Sequence, residues 1–269
     1  MKTKNLIFAF FISSSILIPQ LVLGQSSFFT ELKKPRGKVR SYNEHIYELA
    51  SGQPVLIEKS LLEYNDTGHL LRKISYNTID SNAVEYETTF TYEENLLSEE
   101  LCENRFKITY LYDELGNKIA KKYRSVDEQY LERFMYDETN KLTRKHKYDE
   151  GGVLKFSEVY SYDNKKRLIG SKRTFTDTIA NNSSASYSLD AQGSMVQERV
   201  YAANGHILYS RAFDYDDRQN KIEERRYSAS GNLQQRSKYK YQYDATGNWT
   251  SIQYISKSAS YLITRALNY

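Results

Sequence analysis

The sequence predicts an all-β chain: an array of antiparallel β-hairpin repeats of about 26 residues, two turns each, forming a long twisted or wound sheet. Three observations carry this. A signature of aromatic or Leu, any residue, aromatic or Leu, then Asp, Glu or Asn begins at residues 62, 90, 110, 134, 160, 187, 213 and 241. It reads, for example, LEYN at 62, YLYD at 110, FMYD at 134 and YQYD at 241. A weaker second register, seen in YDEGG at 148, YAANG at 201 and YSASG at 227, marks another turn halfway through the unit. Between turns the residues alternate with the period of a strand. In LQQRSKYKYQY (233–243) Leu233, Gln235, Ser237, Tyr239, Tyr241 and Tyr243 share one face, against Gln234, Arg236, Lys238, Lys240 and Gln242.

The chain opens with MKTKNLIFAFFISSSILIPQLVLGQSS. Lys2 and Lys4 precede an apolar run from Leu6 to Leu23 and the small residue Gly24, the order of a secretory signal peptide. The run also approaches the length of a membrane span, but Ser13, Ser14, Ser15 and Pro19 interrupt it and favour cleavage between Gly24 and Gln25. The organisation expected is a signal peptide at 1–24, a lead-in at 25–37 and the repeat domain at 38–269, in a secreted or periplasmic protein of a bacterial envelope.

The first element of that domain, KVRSYNEHIYELASGQPVLIEKSLLEY (38–64), reads as a hairpin turning at Ser51-Gly52-Gln53-Pro54. Each later unit turns at its Tyr-Asp. The Asp accepts main-chain N–H groups in an Asx-type turn, and a Gly or Asn four residues after the Tyr (Gly68, Gly116, Asn140, Gly193, Gly247) tolerates positive φ. An apolar residue such as Leu70, Ile119, Leu142, Met195 or Trp249 then re-enters the sheet. Subtracting the turns leaves strands of roughly eight residues. FTDTIANNSSAS (175–186) reads as a turn grown into a longer polar loop.

YLYDELGNKI, YQYDATGNW and YSASGNLQQRSKYKY resemble the YD repeats of RHS-type proteins, and the chain resembles the short exported YD-repeat proteins of Bacteroidota-type bacteria over roughly residues 38–269. The resemblance implies curved or spiralling antiparallel sheets, linked in that family to carbohydrate binding or to enclosing a toxin domain. This chain is far too short to enclose one, so toxin delivery is not carried over.

Composition narrows the function. The formal net charge of +4 falls to +2 without Lys2 and Lys4, which gives no electrostatic case for nucleic acid or for an anionic membrane. Cys102 is the single cysteine, so no internal disulfide forms. His45, His69, His146 and His206 lie in different repeats, no hydrolase or metalloprotease motif occurs, and no enzyme or cofactor is expected. The turn carboxylates Asp113, Asp137, Asp163, Asp190, Asp216 and Asp244 fall on one edge about 9.5 Å apart, too far to share a cation, so turn capping is expected and no metal. A membrane barrel and any span after signal removal are disfavoured because charges interrupt both strand faces; the last strand sets Arg265 among Tyr261, Ile263, Leu267 and Tyr269.

The 25 tyrosines remain. Rings at Tyr112, Tyr136, Tyr162, Tyr215, Tyr241 and Tyr243 are the candidate ligand contacts, a ladder able to stack on a repeating polysaccharide; the competing reading is that they fill a shallow core. The leading expectation is a non-enzymatic module binding envelope or extracellular polysaccharide. The alternative is a structural scaffold that pairs with an envelope protein through exposed sheet edges.

Overall fold

The computed structural model describes residues 35–49, 53–80 and 82–269; the signal segment, the Gly24–Gln25 junction and the tip of the first hairpin lie outside the described residues. Eighteen strands follow one another. They are β1 (Ser41–Glu48), β2 (Val55–Tyr64), β3 (Leu70–Tyr76), β4 (Val84–Glu93), β5 (Leu96–Cys102) and β6 (Phe106–Tyr112). Next come β7 (Lys118–Ser125), β8 (Gln129–Tyr136), β9 (Leu142–Asp149), β10 (Leu154–Tyr162), β11 (Leu168–Phe175) and β12 (Ser183–Leu189). The last are β13 (Met195–Ala202), β14 (Ile207–Tyr215), β15 (Lys221–Ser228), β16 (Leu233–Tyr243), β17 (Trp249–Ser256) and β18 (Ser260–Asn268). The all-β reading and the strand length of about eight hold; the loop expected over 175–186 is shorter, with a single 3-10 turn at Ile179–Asn181, because Ser183–Ser186 already pair with β11.

Both turn registers build the same hairpin. In the Asp113 turn the Asp113 N–H donates to the Asn117 carbonyl at 2.9 Å and the Gly116 N–H returns to the Asp113 carbonyl at 3.0 Å. Gly116 sits at φ 78°, and the ladder slips one residue between Leu111 and Tyr112. That combination is a type I turn closed by a G1 bulge. The Asp113 carboxylate accepts the N–H groups of Leu115 and Asn117 at 3.0 and 2.8 Å. Asp137, Asp163, Asp216 and Asp244 repeat this capping. Not every left-handed slot is Gly or Asn: Lys166 and Gln219 hold φ 62° there.

Every strand pairs antiparallel with its sequence neighbours, and β1 pairs with both β2 and β18. The expected open, wound sheet is therefore corrected: the ring closes into a barrel. Tyr42 of β1 stands opposite Leu62 on one side and Leu267 on the other, so first and last strands match in register. Repeated bulges add local twist and coil the sheet until its ends meet. Closure also removes the unpaired strand edges that the scaffold alternative required.

The closed ring has an enclosed face and an outer face, and burial tells them apart. Following the register from Tyr42, Glu44 and Ile46 around the barrel leads through Leu62, Thr88, Glu132, Phe134, Lys145, Glu158, Tyr160, Glu198, Phe213, Tyr239, Ile252 and Ile263. All but Glu44 are buried. The opposite face leaves Leu111, Ile119 and Ile169 exposed. A small apolar cluster of Val39, Tyr42, Leu62, Tyr64 and Leu70, with Phe90 and Leu267 against it, lies beside the seam.

The rest of the enclosed face is a belt of ion pairs. Arg265 Nε meets Glu44 at 2.8 Å, Lys145 meets Glu158 at 3.2 Å, Arg173 meets Glu158 at 3.1 Å, and Arg211 meets Glu198 at 2.6 Å. The Arg265 that argued against a membrane barrel thus pins the seam.

A cleft on β7–β9 and the tyrosine staples

The six candidate tyrosines do not form one exposed ladder. They are half-buried on the enclosed face near the Tyr-Asp rim, and five of their hydroxyls serve the main chain. Tyr112 donates to the Leu97 carbonyl at 2.9 Å, Tyr136 to Lys118 at 2.9 Å and Tyr162 to Leu142 at 2.7 Å. Tyr215 donates to Met195 at 2.7 Å and Tyr241 to Lys221 at 3.0 Å. Each carbonyl belongs to the residue that re-enters the sheet at, or just after, the bulge of the preceding main-register turn. Tyr243 instead meets the Asn220 amide at 2.6 Å. A phenol at this slot supplies both packed area and a donor for main chain displaced by the bulge, which Phe could not do. Burial pushes the phenols of Tyr112, Tyr136, Tyr162, Tyr241 and Tyr243 above their ordinary pKa, Tyr162 to about 12.

A concavity with mixed aromatic and polar lining lies at the opposite rim. A cavity of about 400 Å³ is lined by Lys122, Gln129, Arg133, Tyr148, Asp149 and Glu150, with Tyr123, Tyr130 and Leu131 as its wall. The hairpin register assembles it. Lys122 pairs with Leu131, Leu131 with Tyr148, and the ladder then slips between Leu154 and Phe156. The slip tips the Glu150–Gly152 turn beside the strand ends. Tyr123 and Tyr130 stack at 4.9 Å, and the Lys147 ammonium covers Tyr130 at 3.8 Å. That stack is a fixed wall. Tyr148 is the freer ring: it touches His146 Nδ1 through its hydroxyl at 3.0 Å, with the Arg133 guanidinium 5.9 Å from its centroid.

Parity counted along the sequence groups Glu158, Arg211, His146 and Arg199 with the tyrosines. The structure puts Glu158 and Arg211 inside but His146 and Arg199 outside, because intervening bulges reverse the alternation. Tyr148 and Gln129 are residues the sequence reading missed. The second-register YDEGG motif that contains Tyr148 was the available signal.

No protein-family model matches the chain, so its likeness to YD-repeat proteins rests on the motif and the turn it builds. No curated protein matches it either. Among solved structures it is similar to a porin-like protein from Bacteroides uniformis, 12% identical with TM-score 0.49, over 86% of this chain and 96% of that one. A porin-like protein from Bacteroides vulgatus is 13% identical with TM-score 0.42, over 86% and 98%. TcdB2-TccC3-TEV is 18% identical with TM-score 0.37, over 79% of this chain but 12% of that far longer one. Likeness at this level does not bear on what the protein binds.

Proposed function

We propose that this protein is an exported, non-enzymatic glycan-binding barrel of the bacterial envelope or its surroundings, with the β7–β9 cleft as its sugar site. One observation carries the reading: a concavity that presents the Tyr148 ring beside planar hydrogen-bonding groups, the Gln129 amide, the Arg133 guanidinium and the Asp149 and Glu150 carboxylates. Sugars offer apolar ring faces edged by hydroxyls, and such a lining matches both. In this reading Tyr112, Tyr136, Tyr162, Tyr215, Tyr241 and Tyr243 hold the opposite rim in shape, and Tyr148 makes the stacking contact.

The outer face argues against a lipid-facing role. Its strands carry Glu63, Arg72, Glu87, Lys107, Arg225 and Arg236 where a spanning barrel presents an apolar band. A protein partner would have to dock by side chains, since among the described residues no strand edge is free. The test is an array of bacterial and plant polysaccharides probed with the full chain. Saturable binding that Tyr148→Ala abolishes is expected; a blank array would end the reading.

A further inference from the structure

We propose that the glycan is acidic, a carboxylate-bearing polysaccharide lying across the outer face of β7 to β13; the inference rests on the glycan-binding reading above. Six cations rise from this face: Lys122, Arg124, Arg133, Arg144, Lys172 and Arg199, all exposed. The acidic residues of these seven strands are elsewhere. Glu132, Glu158 and Glu198 are buried on the enclosed face, and Asp149 caps its own turn by accepting the Val153 N–H at 2.9 Å. The outward rows of β7–β13 therefore present positive charge without a carboxylate among them.

The rest of the barrel's outer face differs. Across β2 to β6, Arg72 sits on Glu63 at 2.6 Å and Lys107 on Glu99 at 2.7 Å. Across β14 to β16, Arg225 sits on Asp214 at 2.9 Å and Arg236 on Glu223 at 2.8 Å. Those four cations are neutralised within the protein, and Lys238 of β16, without a direct ion pair, still stands opposite the Glu223 carboxylate. The six named on β7–β13 make no ion pair among the described residues; Arg124 donates to Gln129 at 3.2 Å and Arg133 leans on Tyr148.

The relief of the face suits a chain-like ligand. Val159 of β10 pairs with Arg144 on one side and Lys172 on the other, so these cations share one row two strands apart, about 9.5 Å. Arg199 stands two strands beyond Lys172 and one row higher. Between them the floor is Ser157, Ser161, Gly170, Ser184 and Ser186. Gly170 keeps it flat for a structural reason: a Cβ there would fall 2.9 Å from the Ala185 carbonyl oxygen. The β7–β9 cleft lies at one end of this trough. A neutral sugar would leave the cations unused, whereas a polymer with regularly spaced carboxylates would engage several at once, an avidity that single contacts lack.

The test titrates the full chain with a panel of uronate polymers and with the same polymers after complete methyl esterification, which removes charge and keeps the sugar backbone. Binding to an acidic form that weakens roughly tenfold on esterification, and as much in Arg144→Gln/Lys172→Gln, is expected from a pair of exposed charge contacts. Lys238→Gln/Lys240→Gln, which removes the same charge from β16, should leave affinity within about twofold. Equal binding of acid and ester would overturn the acidic assignment and leave the glycan reading standing. No binding to any acidic or neutral polymer would remove both. Equal losses in the β16 control, or vesicles of phosphatidylglycerol bound as tightly with the same dependence on Arg144 and Lys172, would also overturn it. The wild-type comparison of acid with ester decides the question even if a variant fails to fold.

Discussion

Replacing Arg265 by alanine should open the barrel at its seam. The guanidinium is 8% exposed and its partner Glu44 13% exposed, with 2.8 Å between them across the β1–β18 junction. The same group lies 3.5 Å from the Trp249 ring and 4.5 Å from the Tyr42 ring, bridging β17, β18 and β1. Alanine leaves the Glu44 carboxylate, mostly shielded from water, without its counter-charge, a change that costs about 3–5 kcal/mol in comparable buried pairs. For a domain of this size that corresponds to a fall in melting temperature of roughly 6–20 °C. Thermal and urea unfolding followed by far-UV circular dichroism measure it, and hydrogen exchange at the β1 and β18 amides should accelerate before that of β8 and β9. Removing both charges, in Arg265→Met with Glu44→Leu, should restore most of the loss, because an apolar pair of similar volume carries no stranded ion. A loss below about 1 kcal/mol in Arg265→Ala, or a double variant no better than the single, would mean that the ion pair does not hold the seam.

Three further outcomes follow from the turns and staples. Tyr162→Phe removes the donor to the Leu142 carbonyl and should cost about 0.5–1.5 kcal/mol in chemical denaturation, with the fold otherwise intact. Lys166→Gly, at φ 62°, should stabilise the chain by up to about 1 kcal/mol by relieving a left-handed non-glycine residue, whereas Gly116→Ala, at φ 78°, should destabilise by about 1–2 kcal/mol. Partial burial pushes the Asp244 carboxyl upward, but hydrogen bonds from Tyr269, Thr246 and Asn248 outweigh it and hold the group at about 2. A depressed carboxyl contributes stability that is complete above the ordinary value near 4 and lost as pH falls through the folded value; melting temperature should therefore drop between about pH 4 and pH 2, and Asp244→Asn should flatten that drop.

What could be read from the sequence was local. The Tyr-Asp motif specifies a turn within six residues, so the main-register turn positions and the role of the aspartates follow from the motif itself. Closure was not legible, because Ser41 and Asn268 pair across the whole length of the domain and nothing near either residue names its partner. The cleft was hidden for another reason. Each G1 bulge shifts the inside–outside alternation by one residue, so Tyr148 and Arg199 turn outward although simple parity places them with the inward tyrosines. Tyrosine abundance was visible as a number, but its cause, a hydroxyl held against a carbonyl at a bulged rim, needed the strand register.

The charge distribution of the two faces follows from closure. The enclosed face cannot be wholly apolar, because the repeat pays out side chains to both faces of every strand and the ring is too wide for tyrosines alone to fill. Carboxylates and cations therefore alternate around the inside: Glu132 and Glu158 flank Lys145, and Glu198 and Glu224 flank Arg211, raising its basicity despite burial. These pairs neutralise one another across adjacent strands, so each hairpin is satisfied only by its neighbours in correct register, a specificity that an apolar lining would not impose. Using the acids of β8 to β13 in this way leaves the outward cations of the same strands without partners. The inner belt and the outer basic face are in that sense one feature, and neutralising inner Glu198 should lower the melting temperature while neutralising outer Arg199 should leave it unchanged.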